Sequence, residues 1–439
     1  MALQATSFSE AIWFFILHMN LSRLSLNSLW LLLSRLGTQF GMALFTILLA
    51  RGLGSAGFGE YAFIASVIVI GNVLTTFGTD MLLIREIALT DNLSQLAPAL
   101  LIQLVLSALF IGLVLLGASW LPSPNPTAAP ALHIFSMSML PLAFFTVFTT
   151  ALRGRQRMLS YSLLNLALMI MQILAAVWLL WRGGGLIDLA VLLLVVQVGA
   201  ALIAGIICTI QFPDLMQTWR FSKLQPFLLL RTSAPIALLG VLGILYQRFS
   251  LILLPLLAGT AATGWFSAGA RLVEAAKIGH VAVFTALYPL MAQSRGAENL
   301  RWSRSFRVPG LALLAGAFVA SLVLYLLADP LVSILYGTQY LLSIPLVRVL
   351  AWMLIPYTLN TFLTLALLAR GEEREIVRAL VLSTATLAIL TTWWVSFAGT
   401  SGAAWAALCA EVTQSLILIL TDFRRTRVIH AMLLPEVSA

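Results

Sequence analysis

The feature that most constrains this chain is a recurrence of apolar runs: from residue 28 to residue 421, stretches of about 20 mostly apolar residues follow one another with only short polar breaks. Hydrocarbon offers no partner to an exposed N–H or C=O group, so a run of that length is stable in a membrane only as a helix, whose backbone bonds are internal. Twelve segments qualify: Ser28 to Ala50, Phe58 to Ile84, Leu96 to Trp120, Ala131 to Leu152, Leu159 to Trp181, Leu186 to Ile210, Thr232 to Leu257, Ala262 to Leu290, Val308 to Ala328, Ser343 to Ala369, Ile376 to Phe397 and Ala403 to Thr421. Only 9% of the 439 residues are charged, where a soluble domain carries roughly 25%, and no stretch is left for a separate soluble fold. The predicted fold class is all-α integral membrane, with about twelve transmembrane helices in two six-helix lobes around a central cleft.

Charge orients these helices. If the amino terminus is cytoplasmic, one set of loops holds Arg23, Arg85, the Arg153–Arg155–Arg157 turn, Arg220, Lys223, Arg231, Arg295, Arg301, Arg304, Arg307, Arg370, Arg374, Arg378, Arg424, Arg425 and Arg427. The opposite loops hold only Arg51 and Arg182, so the positive-inside rule places both termini in the cytoplasm of a bacterial inner-membrane protein. The division that follows is a leader over 1–27, a first lobe over 28–211, a cytoplasmic linker over 212–231, a second lobe over 232–421 and a tail over 422–439. The leader is read as interfacial, its apolar run Ile12 to Leu17 being too short to span, with Met19 as the alternative start.

A net charge of +9 invites nucleic acid, but the basic residues sit in separate loops and form no continuous face, so no nucleic-acid partner is expected. Cys208 and Cys409, the only two cysteines, have no neighbouring ligands at metal spacing, and no phosphate-binding Gly-x-x-x-x-Gly-Lys loop is present. Neither a metal nor a cofactor is expected.

Gly154, Gly185 and Gln197 reappear at a single offset as Gly371, Gly402 and Gln414, while Gly59-Glu60-Tyr61 matches Gly264-Trp265-Phe266 at a shorter one. The loop from Asp329 to Leu342 absorbs the difference. Six helices return the chain to the same side, so the halves are parallel repeats about an axis along the membrane normal, and a cleft between them suits alternating access.

The run Ala50-Arg51-Gly52-Leu53-Gly54-Ser55-Ala56-Gly57-Phe58-Gly59-Glu60-Tyr61, followed by Gly78 and Arg85-Glu86, resembles the opening of Wzx-type polysaccharide (O-antigen) flippases of the multidrug/oligosaccharidyl-lipid/polysaccharide exporter superfamily. Gly264 to Glu274, the Arg153-Gly154 turn, and Asp329-Pro330-Leu331 with Leu335-Tyr336-Gly337 extend the resemblance over most of the chain. It implies a transporter, not an enzyme, that moves an undecaprenyl-diphosphate-linked oligosaccharide from the cytoplasmic to the periplasmic leaflet. Implied partners are that glycan lipid, membrane lipids and other polysaccharide-assembly membrane proteins.

A charge at the bilayer centre costs about 2.5 to 3.5 kcal/mol on insertion scales, so ionisable residues there need a partner or a wet cavity. In the first helix Ser28, Arg35, Gln39, Met42 and Thr46 share one face, which should line the cleft. Arg35 and Arg248, in the first helix of each half, are the leading pair for a diphosphate, since a guanidinium meets phosphate oxygens in bidentate geometry; the alternative is that they cap carbonyls of a neighbouring helix. Arg271 and Glu274, three apart, make either an inert internal pair or part of the path, and Lys277 lies farther round the helix. Asn165 and Gln172 suit sugar hydroxyls or helix packing equally. Glu411, with no opposite charge at helical spacing, is the candidate for proton uptake and release, ahead of Glu274 and Asp80; Asp80 and Arg348 lie nearer helix ends, where a charge snorkels.

Two rivals remain. A cation-coupled multidrug exporter of the same fold would line its cleft with acidic or aromatic groups, which Arg35 opposes. A membrane-embedded glycan enzyme would cluster carboxylates or histidines on an outer loop, and His18, His133, His280 and His430 are scattered.

Overall fold

The computed structural model describes residues 24–117, 127–215, 225–277 and 299–425. Every element among them is helical: α1 (Leu24–Thr76), α2 (Thr79–Thr90), α3 (Leu96–Gly117), α4 (Ala128–Ser136), α5 (Met139–Gly154), α6 (Met158–Trp181), α7 (Leu186–Gln211), α8 (Gln225–Leu257), α9 (Thr260–Ala276), α10 (Asn299–Leu326), α11 (Ala328–Leu335), α12 (Ser343–Ala351), α13 (Leu354–Arg370) and α14 (Glu373–Arg425), with a 3₁₀ turn over Thr338–Tyr340.

Two of these helices fold back on themselves. In α1 the backbone leaves helical geometry at Gly54, which holds φ 68°. The rings of Phe45 and Tyr61 lie 6.0 Å apart, where a straight helix would separate those residues by about 24 Å. In α14 the break is Gly399 at φ 56°, and a Cβ on Gly402 would lie 2.5 Å from the carbonyl of Trp394, so there too the chain doubles back. A glycine is required at both breaks because a Cβ disfavours positive φ. The loops expected at these places are thereby reduced to single-residue reversals.

Eight helices among the described residues are long and apolar enough to cross a membrane, and α12 with α13, bent by 40°, forms a ninth candidate. The folded helices span 48 and 49 residues within that set, enough for two passes each. Short α9, with 17 residues, runs to the edge of the undescribed segment 278–298. Counting each folded helix twice and α9 once, all twelve expected segments have helical counterparts among the described residues. Three are interrupted: the second at Phe77 and Gly78, both at positive φ, the fourth at Met137–Ser138 and the tenth at Trp352–Met353.

The glycines of α1 fix its neighbours. Gly37, Gly41 and Gly52 face Leu166, Met169 and Leu180 in turn, a parallel register against α6. Beyond the reversal, a Cβ on Gly59 would sit 1.8 Å from the carbonyl oxygen of Thr260, and one on Gly264 2.0 Å from that of Ser55. The returning arm of α1 and α9 therefore cross backbone to backbone at the two glycines that the repeat had matched, and their preceding glycines, Gly54 and Gly259, share positive φ and extended ψ. Around the crossing a buried cluster joins Phe45, Leu49, Phe58 and Ile64 to Ala268, Val332, Tyr336, Tyr340 and Val347.

The Asp329 to Leu342 stretch, expected to carry the second half's extra residues, forms α11 and the 3₁₀ turn and closes this end of the molecule. Arg51 donates through Nε to the Leu335 carbonyl at 2.8 Å and through a terminal nitrogen to the Ile334 carbonyl. The Tyr340 hydroxyl donates to the Ala50 carbonyl at 2.9 Å, and the Trp265 indole to that of Gln339 at 3.1 Å. Arg348 pairs with Asp329 at 2.5 Å. At the opposite, arginine-rich end, Arg155 donates two bonds to the Asp214 carboxylate, at 2.9 and 2.6 Å, and two to Asp91, at 2.8 Å to its carboxylate and 3.1 Å to its backbone carbonyl, and lies over the Phe212 ring. These hydrogen bonds from Arg155 hold the Asp214 carboxyl below its ordinary range, which ties three chain reversals together.

Candidate functional site

Between α1 and α6 on one side and α8, α9, α12, α13 and α14 on the other lies a cavity of about 790 Å³. Its walls run from Phe266, close to the α1–α9 crossing, to Thr38 early in α1, Lys277 capping α9, Thr364 late in α13 and Leu380 early in α14, toward the arginine-rich end. The opposite end is the seal around Arg51 and Tyr340. The cavity is thus closed on the side of the α1–α9 crossing.

Its charge is unevenly placed. All the ionisable wall residues of Lys, Arg, Asp and Glu type come from the second half: Arg248 on α8, Arg271, Glu274 and Lys277 on α9 and its cap, and Glu411 on α14. The first half contributes Thr38, Gln39, Met42, Met169 and Gln172, all uncharged. Arg271 donates to the Glu274 carboxylate at 2.8 Å, and a terminal nitrogen of Arg248 stands 3.9 Å from its other oxygen. The carboxylate is the exposed member, with 42% of its side chain open against 15% for Arg248 and 17% for Arg271. Arg248 Nε is buried with no hydrogen-bond partner among the described residues. A buried donor left unpaired costs about 1–3 kcal/mol. The Lys277 ammonium lies 3.9 Å from the centre of the Tyr357 ring, a cation–π contact.

Glu411 is buried in its own network. The Asn360 side chain donates to its carboxylate at 2.8 Å and to its backbone carbonyl at 3.0 Å, Ser415 donates to Asn360 at 2.7 Å, and the Tyr246 hydroxyl is within hydrogen-bonding reach of the carboxylate. Burial of a carboxyl is tolerable only with such partners.

Of the residues singled out from sequence, Gln39, Gln172, Arg248, Arg271, Glu274, Lys277 and Glu411 meet in this cavity. Three do not. Arg35 is exposed one turn before Gln39 and forms no part of the wall, so the expected pair of one arginine from each half is replaced by Arg248 with Arg271. Asn165 bonds back to the Tyr161 carbonyl at 2.8 Å, and Asp80 sits in the first turn of α2, away from the cavity. Thr46 is buried and donates to the Met42 carbonyl at 2.7 Å, leaving Gln39 and Met42 as the wall residues of that stripe; the side chain of Ser28 lies outside the described residues. Sequence reasoning passed over Tyr246, Tyr357, Asn360, Thr361 and Thr364. The last four stand at i, i+3, i+4 and i+7, a polar stripe of the same kind that marked the first helix.

The chain's overall shape is shared with solved transporters. An inward-facing multidrug-resistance MATE transporter of the MOP superfamily superposes with a TM-score of 0.71 at 14% identity, covering 91% of this chain and 96% of that one. The lipid II flippase MurJ in an inward closed conformation gives 0.68 at 14% identity, over 93% and 90% of the two chains. A MOP-superfamily transporter from Pyrococcus furiosus, described as having a binding pocket of reverse polarity, gives 0.63 at 14% identity over 92% and 96%. These likenesses establish the fold. No protein of curated function matches the chain in sequence. The profile of the polysaccharide biosynthesis protein family, however, matches residues 24–295, more than half of the chain, which therefore belongs to that family.

Proposed function

We propose that this protein is a flippase for undecaprenyl-diphosphate-linked oligosaccharides, carrying them from the cytoplasmic to the periplasmic leaflet of the bacterial inner membrane in surface polysaccharide assembly. The observation that carries the reading is the cationic wall: Arg248, Arg271 and Lys277 against Glu274 and Glu411, with an unpaired buried donor on Arg248. A diphosphate supplies the acceptors such a wall lacks, and guanidinium groups match phosphate geometry. The same excess of positive charge repels a cationic drug, which disfavours the multidrug exporter of this fold.

In this reading residues 28–211 and 232–421 act as two lobes joined by the 212–231 linker, both termini are cytoplasmic, and the lobes rock about the α1–α9 crossing. The neutral wall of Gln39 and Gln172 faces the glycan. Arg35 and Asn165 act at the approach to the cavity, and the prenyl tail stays in lipid. Glu411 takes up and releases the proton that couples transport to the gradient, ahead of Glu274 and Asp80.

The test is complementation of a flippase-null bacterium that makes a matched glycan, at equal membrane expression. Wild type should restore surface polysaccharide, Arg248→Ala and Arg271→Ala should fail, and Glu411→Gln should lose the response to collapsing the proton gradient. No restoration by wild type across several glycans sinks the function; full restoration by both arginine variants sinks the site.

A further inference from the structure

Glu274 stands where an anionic ligand would bind. Its carboxylate is the most open group of the Arg248–Glu274–Arg271 cluster and lies in front of two largely covered guanidinium groups. On α9 it is three residues from Arg271 on one side and three from Lys277 on the other, so both cations are within reach of a rotation about its side-chain bonds. Arg271 holds it at 2.8 Å, whereas the Lys277 ammonium lies over the face of Tyr357 and makes no hydrogen bond or salt bridge among the described residues.

From this geometry we infer that Glu274 is a two-position counter-anion: it occupies the arginine pair while the cavity is empty, and swings to Lys277 when the phosphates of a ligand take that pair. The inference rests on the functional reading above, and gives Glu274 and Lys277 roles in regulating that site that differ from direct contact with the ligand. In the empty state the carboxylate offsets part of the cationic excess, which limits the cost of two guanidinium groups buried near one another. On loading, Lys277 receives the displaced charge, so the carboxylate is never left without a cation. On unloading, the returning carboxylate competes with the phosphates for Arg248 and Arg271. A carrier needs this weakness: a site must bind well enough to be entered and poorly enough to be left.

The test measures binding of undecaprenyl diphosphate to purified full-length protein in detergent, for wild type, Glu274→Gln, Lys277→Gln and the double variant, alongside transport in cells. Removing the competitor should tighten binding about tenfold, equivalent to about 1.4 kcal/mol, while transport slows because release is hindered. Lys277→Gln, which leaves the Arg271–Glu274 pair intact, should weaken binding several-fold in the wild-type background and leave it unchanged in the Glu274→Gln background, since Lys277 then has no carboxylate to receive. Equal weakening by Lys277→Gln in both backgrounds would make Lys277 a direct ligand contact and overturn the inference. So would unchanged or weaker binding by Glu274→Gln, or unchanged binding by Lys277→Gln alone, a readout that survives if Glu274→Gln fails to fold. Failure of wild type to bind the probe at all would instead count against the flippase reading.

Discussion

At the scale of single residues, the sequence picked out cavity-lining positions best where a charge had to be explained. Arg248, Arg271, Glu274, Lys277 and Glu411 stood out because apolar helices rarely carry such groups, and all five line one cavity. Arg35 stood out for the same reason and lies off the wall, because a helical face runs the whole length of a helix whereas the cavity touches only part of it. Asn360 and Tyr246 were passed over because neutral polar side chains in an apolar helix carry little signal until their partner on another helix is known. Outside the membrane, Arg155 makes a separate prediction. Its bonds hold the Asp214 carboxyl low, so the pair stabilises the fold above the carboxyl's ordinary value near 4 and loses that contribution as pH falls below it. Asp214 is substantially exposed, and the gain is on the order of 1 kcal/mol or less. Asp214→Asn should therefore lower the unfolding temperature in detergent by a few degrees at pH 7, and the gap to wild type should close toward pH 3. A gap that persists at pH 3 would show that the site acts through packing on Phe212 and not through charge.

Among the elements, α1 and α9 cross at the closest backbone approach made by any glycine among the described residues, at Gly59 and Gly264. At Gly264 a methyl group would collide with the backbone of Ser55, and at Gly59 with that of Thr260, so no side-chain rearrangement relieves either contact. Gly264→Ala and Gly59→Ala should each part the two helices and break the neighbouring seal. The measurement is labelling of a cysteine placed at Ser343, which is buried beside the crossing and donates to the Trp265 carbonyl, by a membrane-impermeant reagent from outside; it should rise several-fold in both variants. Gly112 on α3, with nothing within 4 Å of the added methyl, is the control: Gly112→Ala should leave labelling unchanged and stabilise the helix by about 0.4–1 kcal/mol. The twelve helical segments were readable because lipid enforces length and composition, and the glycine match at the crossing was readable because it recurs. The single-residue reversals at Gly54 and Gly399 were not, since nothing in an apolar sequence distinguishes a sharp turn on one glycine from a helical glycine.

For the whole molecule, the cavity and the seal lie at opposite ends, with the cavity toward the loops that hold most of the arginines. On the proposed topology a cysteine at Thr364, in a variant lacking Cys208 and Cys409, should react from the cytoplasmic side in everted vesicles and resist reagent added outside intact cells. Labelling from outside with protection from the cytoplasmic side would mean that the outward-open state dominates at rest. The two repeats are alike at their crossing glycines, and α11 and the 3₁₀ turn of the second meet Arg51 and Ala50 of the first through directed hydrogen bonds. On the proposed topology, shutting the outer door therefore makes directed bonds that opening it must break. On the proposed reading, a transporter with two like halves thereby has a preferred idle position, open toward its arginine-rich end, with the stretch from Asp329 to Leu342 as its latch.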